Sequence, residues 1–240
     1  MIPAAFIVLL AAFVRSVSGF GFPLVATPLL TFVMEAKSVV VINIILASVT
    51  NVLVLFHMRQ HIDLKRVTLI SLGGLLGVPL GAYLLSTLDT SVIKLAIAVL
   101  LIPFSVLLLL GHSRQFEKEA LGCSIVGFMS GVLGASTSLA GPPVVLFLLN
   151  QGLVKERFVG TLAAYFLFFC VISIGAFSSL GVITTDLLTK VAILLPTLLL
   201  GSYIGIKVMP RIDVVLFKRL VASIISVTAL VIIVSVLMGL

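Results

Sequence analysis

The chain has 240 residues, of which 61% are hydrophobic and 10% are charged, and its mean hydropathy is +1.40. Because a soluble domain carries about 25% charged residues, this composition excludes a soluble protein and predicts an all-α polytopic membrane protein. The net charge of +7 does not indicate nucleic-acid binding, since the basic residues lie singly at the ends of apolar runs, where such residues set membrane topology.

Apolar runs follow one another along the whole chain, separated by short polar segments. They lie at about residues 2–34, 38–57, 66–87, 91–111, 117–150, 156–178, 188–209 and 214–239. The most polar segment, residues 112–119, is a natural linker between two halves of four segments each.

Two spacing patterns occur twice. The repeated pairs are Gly77 and Gly81 with Gly201 and Gly205, and Gly19 and Pro28 with Gly134 and Pro143. They predict two homologous transmembrane repeats, residues 1–111 and 120–240, joined by the linker 112–119. In so apolar a chain, a duplication is typical of a transporter with its site between the repeats. For the glycine pairs at 77/81 and 201/205, close helix packing is the favoured interpretation.

The first and fifth runs are too long for one span and are interrupted in the middle. Each exceeds 30 residues, which as one helix would extend about 45 Å across a core of about 30 Å. The interruptions are residues 18–23 and 131–143, where glycine and proline are dense. Because these residues disfavour a continuous helix, each run is predicted to form two arms of about 12 residues. The second arms are expected to begin near 22–24 and 140–142.

Two topologies remain open. If the first and fifth runs cross the membrane completely, the halves are parallel, and the loop lysines and arginines divide six against eight between the two sides. If these runs are re-entrant, the halves are inverted and the same residues divide eleven against three. The second distribution follows the positive-inside rule, so inverted halves with both termini outside the cytoplasm are favoured.

The breaks are candidate anion sites. The start of a helix presents unpaired N–H groups and the positive end of the helix dipole, and a broken helix inside a membrane must have its backbone covered by protein or by a water-filled cavity. Serine and threonine residues flank both breaks and could add hydroxyl donors. The alternative is that these small residues only permit close packing of helices.

Arg15 lies well inside an apolar run, just before the first break. An arginine at this depth costs about 2.5–3.5 kcal/mol, and the acidic residues of the sequence lie near the ends of runs. Its planar guanidinium suits the oxygen pair of a sulfite, sulfonate, phosphate or carboxylate group. The alternatives are snorkelling and capping of backbone carbonyls. At the spacing set by Gly19 and Gly134, the counterpart of Arg15 is Ser130, which predicts a site charged on one side only.

Enzyme motifs are not found. The sequence lacks the metalloprotease, nucleophile-elbow and phosphate-loop patterns. Ser136 and Ser138 have no histidine or lysine deep in the membrane to activate them, since these residues lie near the ends of the apolar runs. No enzymatic activity, metal or cofactor is therefore expected.

The glycine and proline motifs, the duplicated halves and the length together resemble the sulfite exporter TauE/SafE family of bacterial membrane proteins. The motif residues are Gly19, Gly21 and Pro28 in the first half and Gly131, Gly134 and Pro143 in the second. The resemblance implies movement of sulfite, sulfoacetate or another organosulfur anion across the bacterial inner membrane. Where the family commonly has a run of glycines, this chain has residues 135–138, Ala-Ser-Thr-Ser, which adds hydroxyl donors.

These observations predict a secondary transporter of a small oxyanion, working by alternating access. The alternatives are an anion channel and a non-transporting membrane assembly factor. Expected partners are a small anion, the lipid bilayer and a second copy of the chain in a homodimer. The predicted substrate-binding residues are Arg15, Ser16, Ser18, Gly19, Gly21, Thr27, Pro28, Asn43, Ser130, Gly131, Gly134, Ser136, Thr137, Ser138, Pro143, Thr161 and Tyr165.

Overall fold

The computed structural model describes residues 1–18, 20–97, 99–100 and 119–208. All regular elements in these ranges are helices. They are α1 (Ile2–Ser18), α2 (Phe22–Leu30), α3 (Ala36–Met58), α4 (Leu64–Thr87), α5 (90–97), α6 (Glu119–Thr137), α7 (Gly141–Asn150), α8 (Lys155–Ser179) and α9 (Thr185–Val208), with a short 3₁₀ turn at Arg59–His61.

The long helices confirm a polytopic membrane protein. Within the described residues, five helices are long and apolar enough to cross a bilayer: Ala36–His61, Leu64–Thr87, Glu119–Thr137, Glu156–Ser179 and Thr185–Val208. Large apolar side chains such as Leu76 (72% exposed) lie on the outside of these helices, while polar side chains such as Asn43 (0% exposed) are buried. This arrangement suits a lipid surrounding, in which exposed apolar groups cost nothing.

The first and fifth apolar runs are broken as predicted. The first run divides into α1 and α2, and the fifth divides into α6 and α7. The second arms begin at Phe22 and Gly141 and have nine and ten residues, so each extends only about 15 Å. Inversion of the halves and re-entry of these arms stay predictions.

The first arms are longer than predicted. We expected about 12 residues, whereas α1 has 17 and α6 has 19. The helix α6 continues through Gly131 and Gly134 up to Thr137. Gly131 stands at a close helix contact, where a Cβ would lie 2.8 Å from the Gly74 oxygen.

The described helices belong to two compact units, and the boundary between the units falls within α3, between Leu46 and Ala47. The first unit contains α1, α2, the start of α3, α5 and α9. The second contains the rest of α3, α4, α6, α7 and α8. Each unit therefore includes helices from both sequence halves. The repeat boundaries stay a prediction, and most of the predicted linker, residues 112–118, lies outside the described residues.

Glycines hold the helix pairs inside each unit at short distance. In the second unit α4 packs against α6, and a Cβ at Gly77 would overlap the Phe128 carbonyl oxygen. In the first unit α9 packs against α1, and a Cβ at Gly205 would lie 2.6 Å from the Ser16 Cβ. Real Cβ atoms essentially never approach another atom within 3.0 Å, so the packing interpretation of the repeated glycine pairs is confirmed.

Candidate functional site

The first break joins α1 to α2 through a left-handed glycine. Gly21 has φ 102° and ψ 5°, a conformation that a side chain disfavours. Its carbonyl accepts the Val25 N–H at 3.3 Å. The first N–H groups of a helix have no acceptor inside that helix. Pro23 has no N–H group, so Phe22 and Leu24 carry the remaining N–H donors at the start of α2. Gly19 and the Ser18 side chain lie outside the described residues.

Arg15 is buried at this break, with 4% of its surface exposed. It stands in the last turn of α1, a helix without an acidic residue in its sequence. The carbonyl end of a helix dipole stabilises a positive charge, which explains how the first arm tolerates this residue. The positive charge therefore lies at the end of one arm, and the next arm begins after only three residues, 19–21.

Thr27 and Asn43 form a buried polar pair in the first unit. Thr27 lies on α2, Asn43 lies on α3, and the Asn43 Nδ2 donates to the Thr27 Oγ1 at 3.0 Å. Both residues are fully buried. The structure thus brings these two predicted site residues together, although they are far apart in sequence.

Two other predicted residues of the first unit have structural contacts. Ser16 donates its hydroxyl to the Ala12 carbonyl at 2.9 Å and lies against Gly205. Pro28 lies inside α2, and its carbonyl accepts the Thr31 hydroxyl at 2.7 Å. Pro28 does not end α2, but without an N–H it cannot donate to the carbonyl one turn earlier.

The second break has a different local structure. Ser138 has a positive φ of 61°, and its N–H donates to the Gly134 carbonyl at 2.7 Å. The N–H of Leu139 then donates to the Thr137 Oγ1 at 3.3 Å. Because Pro142 and Pro143 follow Gly141, the first turn of α7 lacks two of its N–H groups. The amide donors expected at this helix start are therefore reduced.

A chain of hydroxyl groups fastens the second break to α8. The Tyr165 hydroxyl donates to the Ser130 Oγ at 2.8 Å, and the Ser130 hydroxyl donates to the Ala140 carbonyl at 2.6 Å. Tyr165 and Ser130 are both 0% exposed. In this structure their hydrogens bind protein oxygens, so their first role is to hold the break in place.

Three other predicted hydroxyls of the second unit, on Ser136, Thr137 and Thr161, also make hydrogen bonds with the backbone. Ser136 donates to the Val132 carbonyl at 2.7 Å, and Thr137 donates to the Leu133 carbonyl at 2.6 Å. Thr161, near the start of α8, accepts the Asp63 N–H at 3.1 Å. The structure therefore joins Thr161 to the segment before α4, whereas Ser130 and Tyr165 meet at the break.

The equivalence of Arg15 and Ser130, which the spacing of Gly19 and Gly134 predicts, stays a prediction. Arg15 lies three residues before the end of α1, and Gly134 lies three residues before the end of α6, whereas Ser130 lies seven before it. The second helix starts, Phe22 and Gly141, follow the same register. Counted from the ends of the first arms, the residue that corresponds to Arg15 is Gly134, which like Ser130 carries no charge.

An ion-pair cluster that we did not predict lies at one end of the second unit. The Arg66 Nη1 is 2.8 Å from the Asp63 Oδ2, and the Arg66 Nε is 2.5 Å from the Glu119 Oε1. The cluster joins the first turn of α4 to the first residue of α6. The spacing of Asp63 and Arg66 was visible in the sequence, but the contact with Glu119 is a tertiary one. In the described ranges, acidic, histidine and cysteine side chains form no group suited to a metal ion.

Comparison with known proteins gives one match. Residues 4–232 match the family model for the sulfite exporter TauE/SafE proteins. The match covers nearly the whole chain, including both broken runs. No curated protein and no solved structure matches the chain significantly.

Proposed function

Because the chain belongs to the sulfite exporter TauE/SafE family, we propose that it is a secondary transporter that carries sulfite or an organosulfonate such as sulfoacetate by alternating access. We place it in the bacterial inner membrane. The observation that carries this proposal is the pair of broken helices, one of which has a buried arginine at its break.

The first break has the chemistry of an anion site. Arg15 supplies a positive charge at 4% exposure, and an anion close to it would lower the cost of burying that charge, whatever other contacts the side chain makes. The start of α2 supplies the N–H groups of Phe22 and Leu24, which the helix itself does not use. A tetrahedral or pyramidal oxyanion can accept from both kinds of donor at once.

The positions of the acidic residues bear on the energy source. In the described helices and their connections, acidic residues lie only near helix ends: Glu35, Asp63, Asp89, Glu119, Glu156 and Asp186. A carboxylate inside the spans is the usual proton carrier of a transporter. We infer that the driving force is the membrane potential acting on the anion, or a proton that travels on the substrate.

Flux measurement in proteoliposomes tests this proposal. Wild type is expected to carry sulfite, and Arg15→Gln is expected to lower the flux about 10- to 100-fold, the usual effect of losing a charged hydrogen bond. The matched control is Lys207→Gln, because Lys207 is an exposed cation that lies 4.5 Å from the centre of the Tyr203 ring. Equal flux in wild type and Arg15→Gln would refute the role of Arg15.

Exchange experiments separate the alternatives. An alternating-access carrier takes up labelled sulfite faster when unlabelled sulfite is present on the far side, whereas a channel shows no such acceleration. An assembly factor would show neither sulfite flux nor thermal stabilisation by any oxyanion. Either of those two results would contradict the proposed transport mechanism.

A further inference from the structure

The side-chain amide of Asn43 has one atom left over after its contact with Thr27. The Nδ2 donates to the Thr27 Oγ1 at 3.0 Å. The Oδ1 is buried and accepts no hydrogen bond from any residue in the described part of the chain. Asn43 is 0% exposed, and a buried carbonyl oxygen without a donor is destabilising. The atom therefore indicates a ligand that brings a hydrogen-bond donor.

The surroundings select the kind of donor. A metal ion needs several oxygen ligands, and the N–H that Asn43 directs at Thr27 would repel a cation lodged between the two side chains. A fully deprotonated oxyanion would bring another acceptor to Oδ1 and be repelled. An oxyanion that still carries one hydroxyl hydrogen satisfies Oδ1 and keeps a negative charge for Arg15.

The position of the pair suits a ligand at the first break. Thr27 follows the first residue of α2, Phe22, by five residues, which is about 7.5 Å along a helix. Side chains lean toward the start of their helix, so the Thr27 hydroxyl inclines toward the break. A small oxyanion with a hydrogen bond of about 2.8 Å at each end spans a comparable distance.

We propose that the Asn43 Oδ1 accepts the hydroxyl hydrogen of a protonated oxyanion, so that the transported species is the hydrogen sulfite monoanion and not the sulfite dianion. This inference rests on the transport function proposed above and names the form of its substrate. The proton then travels on the substrate, and a carboxylate inside the spans is not required. Asn43 acts as a specificity-determining residue, and Thr27 orients its amide.

Three monoanions test the proposal on the full-length protein in detergent. Hydrogen sulfite and the monoanion of methylphosphonate each carry one O–H at mildly acidic pH, whereas methanesulfonate carries none. Methylphosphonate and methanesulfonate share charge and shape, so they differ in little besides that hydrogen. Wild type is expected to bind the two protonated anions about 10- to 100-fold more tightly than methanesulfonate.

Two variants complete the design. Asn43→Leu is expected to bind methylphosphonate and methanesulfonate equally, because the acceptor is gone. Asn51→Leu is the matched control: Asn51 is on the same helix, 1% exposed, and its Nδ2 donates to the Cys170 Sγ at 3.8 Å. It should keep the wild-type preference. If Asn43→Leu does not fold, Thr27→Val replaces it, and loss of the hydroxyl that orients the amide should reduce the preference.

The outcomes separate this inference from the proposed function. Equal binding of all three anions by wild type, or an unchanged preference in Asn43→Leu or in Thr27→Val, would overturn the inference and leave an oxyanion transporter. Failure of wild type to bind any of the three would overturn the proposed function itself.

Discussion

Tyr165 donates a hydrogen bond to Ser130 across 2.8 Å in the buried part of the second unit. Ser130 in turn donates to the Ala140 carbonyl, the residue just before α7 begins. Through Ser130, one tyrosine on α8 is thereby linked to the residue just before the second arm. The Ser130 hydroxyl thus ties α6 to the start of the second arm, ten residues further along the chain.

The Tyr165–Ser130 pair should show strong coupling in a double-mutant cycle. Tyr165→Phe is expected to cost about 1 kcal/mol of stability, and Ser130→Ala about 1–3 kcal/mol, because the latter leaves the buried tyrosine hydroxyl without an acceptor. Adding Tyr165→Phe to Ser130→Ala should therefore cost nothing further. Unfolding of the four proteins in detergent measures this. Tyr203→Phe, at an exposed tyrosine on α9, is the control. If the stability losses of Tyr165→Phe and Ser130→Ala add in the double variant, the proposed hydrogen-bond coupling is contradicted.

Gly131→Ala should destabilise the second unit. The new Cβ would lie 2.8 Å from the Gly74 oxygen and 2.9 Å from the Val78 nitrogen, so α4 and α6 must separate at a cost of about 1–3 kcal/mol. The matched control is Gly175→Ala on α8, where a Cβ meets no described atom within 4 Å. That change should be neutral or stabilising by up to about 1 kcal/mol. Equal melting temperatures for the two variants would show that the helix contact is not tight.

Gly21→Ala should reduce sulfite flux. Alanine is strained at φ 102°, by roughly 1–3 kcal/mol, and relief of that strain would shift the start of α2 and its N–H donors. Gly152→Ala introduces similar strain at φ 68°, after α7, where no described atom lies within 4 Å. The control should lose stability and keep its flux. Flux and unfolding are measured in parallel for both variants. An equal loss of flux in Gly21→Ala and Gly152→Ala would mean that backbone strain lowers flux wherever it is introduced.

Neutralising Glu119 in the ion-pair cluster should lower the stability of the protein more than neutralising the acidic partner of an exposed ion pair. Glu119→Gln is expected to lower stability by about 1 kcal/mol, since Arg66 and Glu119 are 18% and 34% exposed and the cluster holds α6 against α4. Asp186→Asn breaks an exposed pair with Lys190 within α9 and should change stability by less than about 0.5 kcal/mol. Unfolding at low and high salt tests both values. A larger loss of stability in Asp186→Asn than in Glu119→Gln would contradict the idea that the cluster holds α6 against α4.

Several features could be predicted from sequence because they depend on local chemistry. Apolar composition determines a membrane protein, since only helices or closed barrels satisfy the backbone in lipid. Glycine and proline at residues 18–23 and 131–143 predict a break in each run, and the second arms begin at Phe22 and Gly141, within the expected ranges 22–24 and 140–142. The buried Arg15 was visible as a charge inside an apolar run.

Other features required the tertiary structure because they depend on partners that are distant in the chain. Gly131 stands where α4 leaves no room for a side chain, and Gly134 stands against Phe169 and Ala140. The first arms end at Ser18 and Thr137, which glycine spacing alone does not show. The Asn43 Nδ2 donates to Thr27, and the Asn43 Oδ1 is left without a hydrogen-bond donor among the described residues. The sequence does not show either fact.

The sequence by itself therefore determined the class of protein, the two broken runs and the one charge at a break. Tertiary structure decided which hydroxyls hold the backbone and which polar atom is available to a ligand. The physical reason is that a helix break follows from the conformational preferences of a few adjacent residues, whereas the use of a hydrogen-bonding atom follows from what packs against it.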